Sequence, residues 1–465
     1  MNDILLPIVQ TINTYLSDYI LVILLLGCGL WFSIKTKFVQ VRCFGEGMKN
    51  VFGKLSLNGG KQGGGMSSFQ ALATAIAAQV GTGNIVGACG AILVGGPGAI
   101  FWMWIIAFLG MATIYAEAVL AQKTRIKKDN GQVLGGPVYY IRTAFKGTFG
   151  KIMAGFFAVA IILALGFFGC MVQSNSIGST AETAFGIPSW VVGIALVIIA
   201  GFIFLGDMDR LASVTEKIVP IMAVLYLVGG LIIFFGNITK VPEAFGLIFK
   251  YAFAPQAIIG GGGRGARSKA RLFSNEAGMG STPHAHAQAN VKDPHEQGTV
   301  AMIGVFIDTF VVLTITALTV IITLYTKGGI LADGTIPEAI NKNNLAQTAF
   351  GSFFGETGGN MFIAGALFFF AFSTVLGWNM FGKINVEYLF GKTEKSAKIA
   401  KIVYTIISLI FIFLGTLASN DLVWELSDMF NQLMVIPNVI GLVACTGLVV
   451  SATHFGKKDE LKVVE

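Results

Sequence analysis

The sequence predicts an all-α integral membrane protein with about eleven transmembrane helices, on three observations. The first is composition: 54% of the 465 residues are hydrophobic and only 12% are charged, about half the ~25% that covers the surface of a soluble chain. The second is that charge-free runs recur at lengths near the ~20 residues that cross a bilayer core. The third is that Lys and Arg gather in alternate connecting segments, as a fixed orientation in a membrane requires. Low charge and a mean hydropathy of +0.73 exclude a disordered chain, a coiled coil and a nucleic-acid-binding protein. Cys28, Cys43, Cys89, Cys170 and Cys445 lie far apart with no CxxC pair. They read as small buried hydrophobes rather than a disulfide framework or a zinc site.

Taken in order, the first span covers 19–34. Residues 62–116 hold no charge but are too long for one helix, and Gly95-Gly96-Pro97-Gly98 divides them into a second and a third span, because Gly and Pro punctuate helices. Next come 152–181, 183–206 and 218–239, then a broken seventh region at 251–291, then 297–326, 357–382, 402–420 and 429–456. The connections on one side carry 24 of the 32 Lys and Arg residues and those on the other side 4; Arg264, Arg267, Lys269 and Arg271 fall within the broken region. Basic loops stay cytoplasmic, so the expectation is a multi-pass plasma-membrane protein with its N-terminus outside and its C-terminus in the cytoplasm. The net charge of +7 then faces the anionic inner leaflet. Met1-Asn2-Asp3 offers no basic n-region and no cleavage site, so no cleavable signal peptide is expected.

Two spans contain residues that weaken a helix near mid-membrane. One is Gln79-Val80-Gly81-Thr82-Gly83-Asn84, where each Gly costs about 1 kcal/mol relative to Ala. The other is Ser274-Asn275-Glu276-Ala277-Gly278-Met279-Gly280-Ser281, which concentrates Gly, polar groups and a carboxylate. With the first helix set aside, ten spans remain and each break opens a set of five. An odd number per set inserts the two halves with opposite topology. Paired Gly-interrupted helices in inverted halves mark a midplane binding site, since a broken helix frees N–H groups for an anion and C=O groups for a cation. The organisation expected is an N-terminal extra helix with its connector (1–61), a first inverted repeat (62–240), a second (241–456) and a cytoplasmic tail (457–465).

At these residues the sequence resembles the alanine/glycine:cation symporter family of the amino acid–polyamine–organocation superfamily. The resemblance rests on Val80-Gly81-Thr82-Gly83-Asn84-Ile85, on Gly95-Gly96-Pro97-Gly98 followed by Phe101-Trp102-Met103-Trp104, and on Glu117. It continues through Gly135-Gly136-Pro137, Gln173-Ser174-Asn175, Thr215-Glu216-Lys217-Ile218-Val219-Pro220, the Leu272–Ser281 block, Trp378 and Pro437-Asn438. The sequence departs from the family pattern at Gly206-Asp207 and at the basic, glycine-rich stretch 260–271. The resemblance implies a leucine-transporter-type fold and sodium- or proton-driven uptake of alanine or glycine, with no cofactor beyond the coupling ion. It implies no chemistry on the substrate, and hence no enzyme. The partners expected are the amino acid, Na⁺ and the lipid bilayer, for a monomer.

A zwitterionic amino acid needs an anion site and a cation site side by side. Amides around Gly81, Thr82 and Gly83, with Asn84 adjoining and the Thr82 hydroxyl assisting, are expected to take the carboxylate. Carbonyls near Phe273 and Asn275, with the side-chain amide of Gln173 or Asn175, would face the ammonium, and Met279 and Trp378 would wall the side chain. By resemblance to the fold's shared sodium site, the ion would meet the carbonyls of Ala77, Val80 and Phe370 and the hydroxyls of Ser373 and Thr374. Glu117, Asp308 and Glu276 are further intramembrane acids, which default to functional hypotheses. Of these, Glu117 lies close to a span end and Asp308 would carry a proton were the coupling ion H⁺. His284 and His286 are two apart and do not share a helical face. No HExxH or GxSxG motif points to an enzyme, and no ring of charge or carbonyl filter points to a channel.

Overall fold

A computed structural model describes residues 2–53, 66–129, 131–206, 208–254, 275–418 and 420–453. Helices dominate. The sheet present among the described residues is a single hairpin pairing Ile126–Lys127 with Val133–Leu134. Among those residues seven helices are long and apolar enough to cross a membrane, and an eighth crossing is a pair, Ser68–Gln79 and Gly83–Gly95, bent by 48° at a break. Val22–Lys35 and Ser189–Phe204 are apolar but shorter. The seventh predicted span includes 255–274, so Phe273 and the basic stretch 260–271 lie outside the described residues.

Helix starts follow from local chemistry. The second span begins with a capping box in which Ser67 accepts from the Gln70 amide and Gln70 from the Ser67 amide. Thr393 and Ser396 form a second such box ahead of Glu394–Leu417. Asp293 caps Pro294–Val305 by accepting from the His295 amide.

Two boundaries differ from the sequence expectation. The fourth span runs unbroken through Gly147–Phe185. It stops where Gly186 turns left-handed (φ +66°) and Pro188 precedes Ser189–Phe204, so the fifth span starts at 189 rather than 183. The eleventh helix, Asn420–Ala444, starts well before 429, because a charge-free run is too strict a criterion here. Glu425 sits within it and is satisfied by Asn13 of the first helix, whose amide donates to the Glu425 carboxylate at 2.6 Å and to its carbonyl at 2.8 Å.

Position in the bundle tracks composition. Every residue from Ala71 to Gln79 is buried, as a helix apolar on all sides should be. Met208–Gly236 and Glu394–Leu417 instead present Ile221, Val224, Val228, Ile232 and Phe235, and Ile399, Ile402, Ile406 and Ile410, on exposed faces. Those apolar faces suit contact with lipid, and the first half of the broken second span, Ser68–Gln79, lies inside the bundle. At the basic end the second and seventh spans touch: the Met66 amide donates to Gln288 and the Asn290 amide donates to Met66.

Candidate functional site

The second span stops being helical at Gln79, because Val80 takes ψ 88°. Helix resumes as a π turn at Gly83–Gly87. The break redirects backbone groups. The Gly81 amide donates to Asn84 Oδ1 at 3.2 Å and the Asn84 amide to the Gly81 carbonyl. The Ala77 and Val80 carbonyls, which an unbroken helix would pair with those amides, turn to the ninth span, Glu356–Phe390. Thr374 Oγ1 lies 2.9 Å from Ala77 O, 3.4 Å from Val80 O and 2.9 Å from Phe370 O. Ser373 Oγ lies 2.9 Å from Phe370 O and 3.5 Å from Ala77 O.

Five buried oxygens therefore converge with only two hydroxyl protons among them, which makes the cluster electron-rich. Oxygens bound at ~2.3–2.6 Å to a hard cation sit roughly 3.3–3.7 Å apart in octahedral geometry, so this donor set fits such an ion after small adjustments. Glycine at 81 is required, since a Cβ there would lie 2.5 Å from Thr374 Oγ1.

The seventh span is unwound from Asn275 to Thr282 before Pro283–Gln288. Glu276, Gly278 and Gly280 have φ of +57°, +85° and +80°. Here the freed amides are already taken. Those of Gly278 and Gly280 donate to the Glu117 carboxylate at 3.2 and 2.9 Å. Asn438 Nδ2 donates to Glu117 at 2.7 Å and to the Gly278 carbonyl at 2.8 Å, and Tyr140 Oη donates to Asn438 Oδ1. Glycine is needed at 280 because a Cβ would meet Asn438 at 2.7 Å and Pro137 at 2.8 Å. Glu117 is fully buried and holds the second break in shape. Glu276, in a left-handed conformation that costs a non-glycine residue about 1–3 kcal/mol, is held by Trp378 Nε1 at 2.6 Å and by the Ser281 hydroxyl.

Between the breaks lies a cavity of about 50 Å³, room for a few waters or a very small ligand at the roughly 10–15 Å³ that one water needs. Its walls are Ala78, Gln79, Gly81, Thr82 and Gly83 of the second span, Val172 and Gln173 of the fourth, Glu276 and Met279 of the seventh, Thr374 and Trp378 of the ninth, and Ser427, Asp428 and Asn431 of the eleventh. Of the expected ligand-contacting residues, Gly81, Thr82, Gly83, Gln173, Met279 and Trp378 line it. Three others are directed elsewhere. Asn84 Nδ2 donates to the Asp308 carboxylate at 2.7 Å, Asn175 Nδ2 to the Gly415 and Ala418 carbonyls, and Asn275 Nδ2 to Thr309 Oγ1 at 3.1 Å.

Asp308 accepts from Asn84 and Thr309 in a buried network. The cavity also has polar walls that sequence reading did not select. Both amide atoms of Gln79 and Oδ1 of Asn431 are buried without a hydrogen-bond partner. Unpaired buried polar atoms cost about 1–3 kcal/mol each, so they mark a surface that a polar ligand would satisfy. Ser427, Asp428 and Asn431 recur at helical spacing, a polar stripe that the sequence did contain.

Comparison with known proteins matches residues 2–462 to the sodium:alanine symporter family. The sodium/alanine symporter AgcS of Methanococcus maripaludis is 39% identical over 96% of each chain. The putative sodium/proton-dependent alanine carrier protein YrbD of Bacillus subtilis is 40% identical over 94% of this chain and 89% of its own. The probable sodium/glutamine symporter GlnT of Bacillus subtilis is 37% identical over 97% and 91%. Among solved structures, the Eremococcus coleocola manganese transporter superposes with a TM-score of 0.50 at 13% identity, over 83% of this chain and 85% of that one. That likeness speaks to the fold alone, the leucine-transporter type.

Proposed function

The chain belongs to the sodium:alanine symporter family, and on that premise we propose that it is a Na⁺-coupled symporter of alanine and glycine. It works by alternating access, with both broken helices gripping one zwitterion at mid-membrane. The observation that carries the coupling ion is the cluster of Ala77, Val80 and Phe370 carbonyls with the Ser373 and Thr374 hydroxyls, directly beside the cavity. No carboxylate belongs to that cage, so binding is weak enough for release on the low-sodium side. Entry of one Na⁺ down ~100 mV and a tenfold gradient yields about 3.7 kcal/mol. That supports accumulation of an electrically neutral zwitterion by roughly several hundredfold.

Orientation of the substrate follows from which amides are already engaged. The Gly81 and Thr82 amides meet only neutral amide oxygens, of Asn84 at 3.2 Å and Gln173 at 3.3 Å. A substrate carboxylate makes stronger, charge-assisted bonds there. The Gly278 and Gly280 amides are occupied by Glu117, so the second break offers its carboxylate, Glu276, to the ammonium instead. Met279 and Trp378 close on the side chain, and the small cavity favours a methyl group or a hydrogen.

Uptake of labelled alanine into proteoliposomes tests this. An inward Na⁺ gradient drives uptake, and Ser373→Ala with Thr374→Ala raises the Na⁺ half-saturation at least tenfold. Loss of response to Na⁺ with retained response to a proton gradient would favour a second reading, H⁺ coupling. Glu276, a buried carboxylate in the cavity wall, is what commends that reading. No uptake under either gradient would remove the carrier function.

A further inference from the structure

On the face of the bundle that carries the basic connections, three residues far apart in sequence bring metal-ligating atoms together. Cys43 Sγ, a Glu46 carboxylate oxygen and a His295 ring nitrogen lie within 4.8 Å of one another. His295 Nε2 is 3.4 Å from Glu46 Oε2. We propose that Cys43, Glu46 and His295 form a binding site for a thiophilic divalent ion of the Zn²⁺ class, separate from the substrate cavity, that clamps the connector after the first span to the start of the eighth.

Three features support the site beyond proximity. The donor set of thiolate, imidazole and carboxylate suits Zn²⁺ rather than Mg²⁺ or Ca²⁺, which prefer oxygen alone. The imidazole is already oriented: Tyr115 Oη is 2.6 Å from His295 Nδ1, which leaves Nε2 toward Glu46. An outer partner on the other ring nitrogen is what metal-ligating histidines almost always have. The two elements are also tied independently of any ion. Asn50, on the same helix as Glu46, donates to Thr299 at 3.1 Å one turn beyond His295.

The distances are close to those of a filled site. Zn²⁺ bonds of ~2.0–2.3 Å at tetrahedral angles place ligand atoms roughly 3.3–3.8 Å apart. The widest separation, within 4.8 Å, exceeds that range by no more than about 1 Å, and the Glu46 side chain, 43% exposed, has room to adjust. On binding, the Cys43 S–H bond breaks, its proton leaves to water and a sulfur–metal bond forms. Three protein ligands leave a fourth position for water. Of the five cysteines, Cys43 is the one outside the apolar runs, between Arg42 and Phe44. Its partners lie as far as 252 positions along the chain, beyond any spacing motif.

The test uses the full-length protein in detergent, purified without a polyhistidine tag. Addition of Co²⁺ to the wild-type chain should give one saturable site per chain with a thiolate-to-cobalt charge-transfer band, displaced by Zn²⁺ and not by Mg²⁺. Zn²⁺ should raise the melting temperature by a few degrees, a readout that needs no variant. Cys43→Ser and His295→Gln should abolish the charge-transfer band and weaken Zn²⁺ at least tenfold, and Glu46→Gln severalfold. A cobalt spectrum without the sulfur band, no saturable binding, or Zn²⁺ binding that keeps its strength without Cys43 would overturn the proposal.

Discussion

The break in the second span and the unwound segment 275–282 of the seventh face each other across the cavity but are stabilised in opposite ways. In the second span the freed amides rest on neutral side-chain oxygens at 3.2–3.3 Å, while its freed carbonyls join hydroxyls of the ninth span. In the seventh span the freed amides are held by the protein's own carboxylate, Glu117, braced by Asn438 and Tyr140. The amides of the first break thus rest on neutral groups that a charged ligand would outcompete, and those of the second are already paired with a carboxylate. A helix break supplies the same backbone groups in either place, and the side chains packed against it decide whether a ligand finds them available.

The largest effect that would break this contrast is at Glu117. Glu117→Ala leaves two buried amides and one N–H of Asn438 without their carboxylate partner, at about 1–3 kcal/mol each. The expected outcome is a melting temperature lower by several degrees and no measurable uptake. If Glu117→Ala melts like the wild type, the second break is not fastened there. Next is Gly81→Ala, whose Cβ would meet Thr374 Oγ1 at 2.5 Å. It should raise both the alanine and the Na⁺ half-saturation tenfold or more and lower the melting temperature, and an unchanged Na⁺ dependence would separate the break from the proposed ion site.

Glu276→Gln removes the carboxylate while keeping one acceptor oxygen for Trp378, with the Ser281 hydroxyl turned to accept from the new amide. A hydrogen bond to a charged group is worth about 1.5–3 kcal/mol, so alanine affinity should fall about 10- to 100-fold. Thr82→Val is the smallest of the set. The amide survives and a neutral hydroxyl contact of about 1 kcal/mol is lost, which predicts a roughly fivefold rise in half-saturation for alanine. Equal effects at Glu276 and Thr82 would contradict the assignment of charge to the second break.

Much of the first break could be read from the chain, because Gly81 and Gly83 flanking Thr82 weaken a helix locally and need no knowledge of neighbours. The convergence of the Ala77, Val80 and Phe370 carbonyls with the Ser373 and Thr374 hydroxyls could be expected only through the family resemblance, since carbonyls have no sequence signature. The fastening of the second break was not legible. Glu117 and Gly278 are 161 residues apart, and a carboxylate near the end of a charge-free run gives no sign of what packs on it. The eleventh helix shows the cost of reading spans as charge-free runs. Starting it at 429 discarded Glu425, which Asn13 satisfies, and with it the Ser427 and Asp428 part of the cavity wall. Asn84 and Asn175 are polar groups at membrane depth, a criterion that does not separate a side chain facing a cavity from one bonding a neighbouring helix; Asn275 is expected to act through its carbonyl, which its side-chain bond to Thr309 leaves untouched.

A structure of the protein with alanine and Na⁺ bound tests the central claim most directly. The result expected is the substrate carboxylate within hydrogen-bond distance of the Gly81 and Thr82 amides, the ammonium against Glu276, and Glu117 still holding Gly278 and Gly280. A substrate bound the other way round, with its carboxylate on the Gly278 and Gly280 amides and Glu117 displaced, would contradict it.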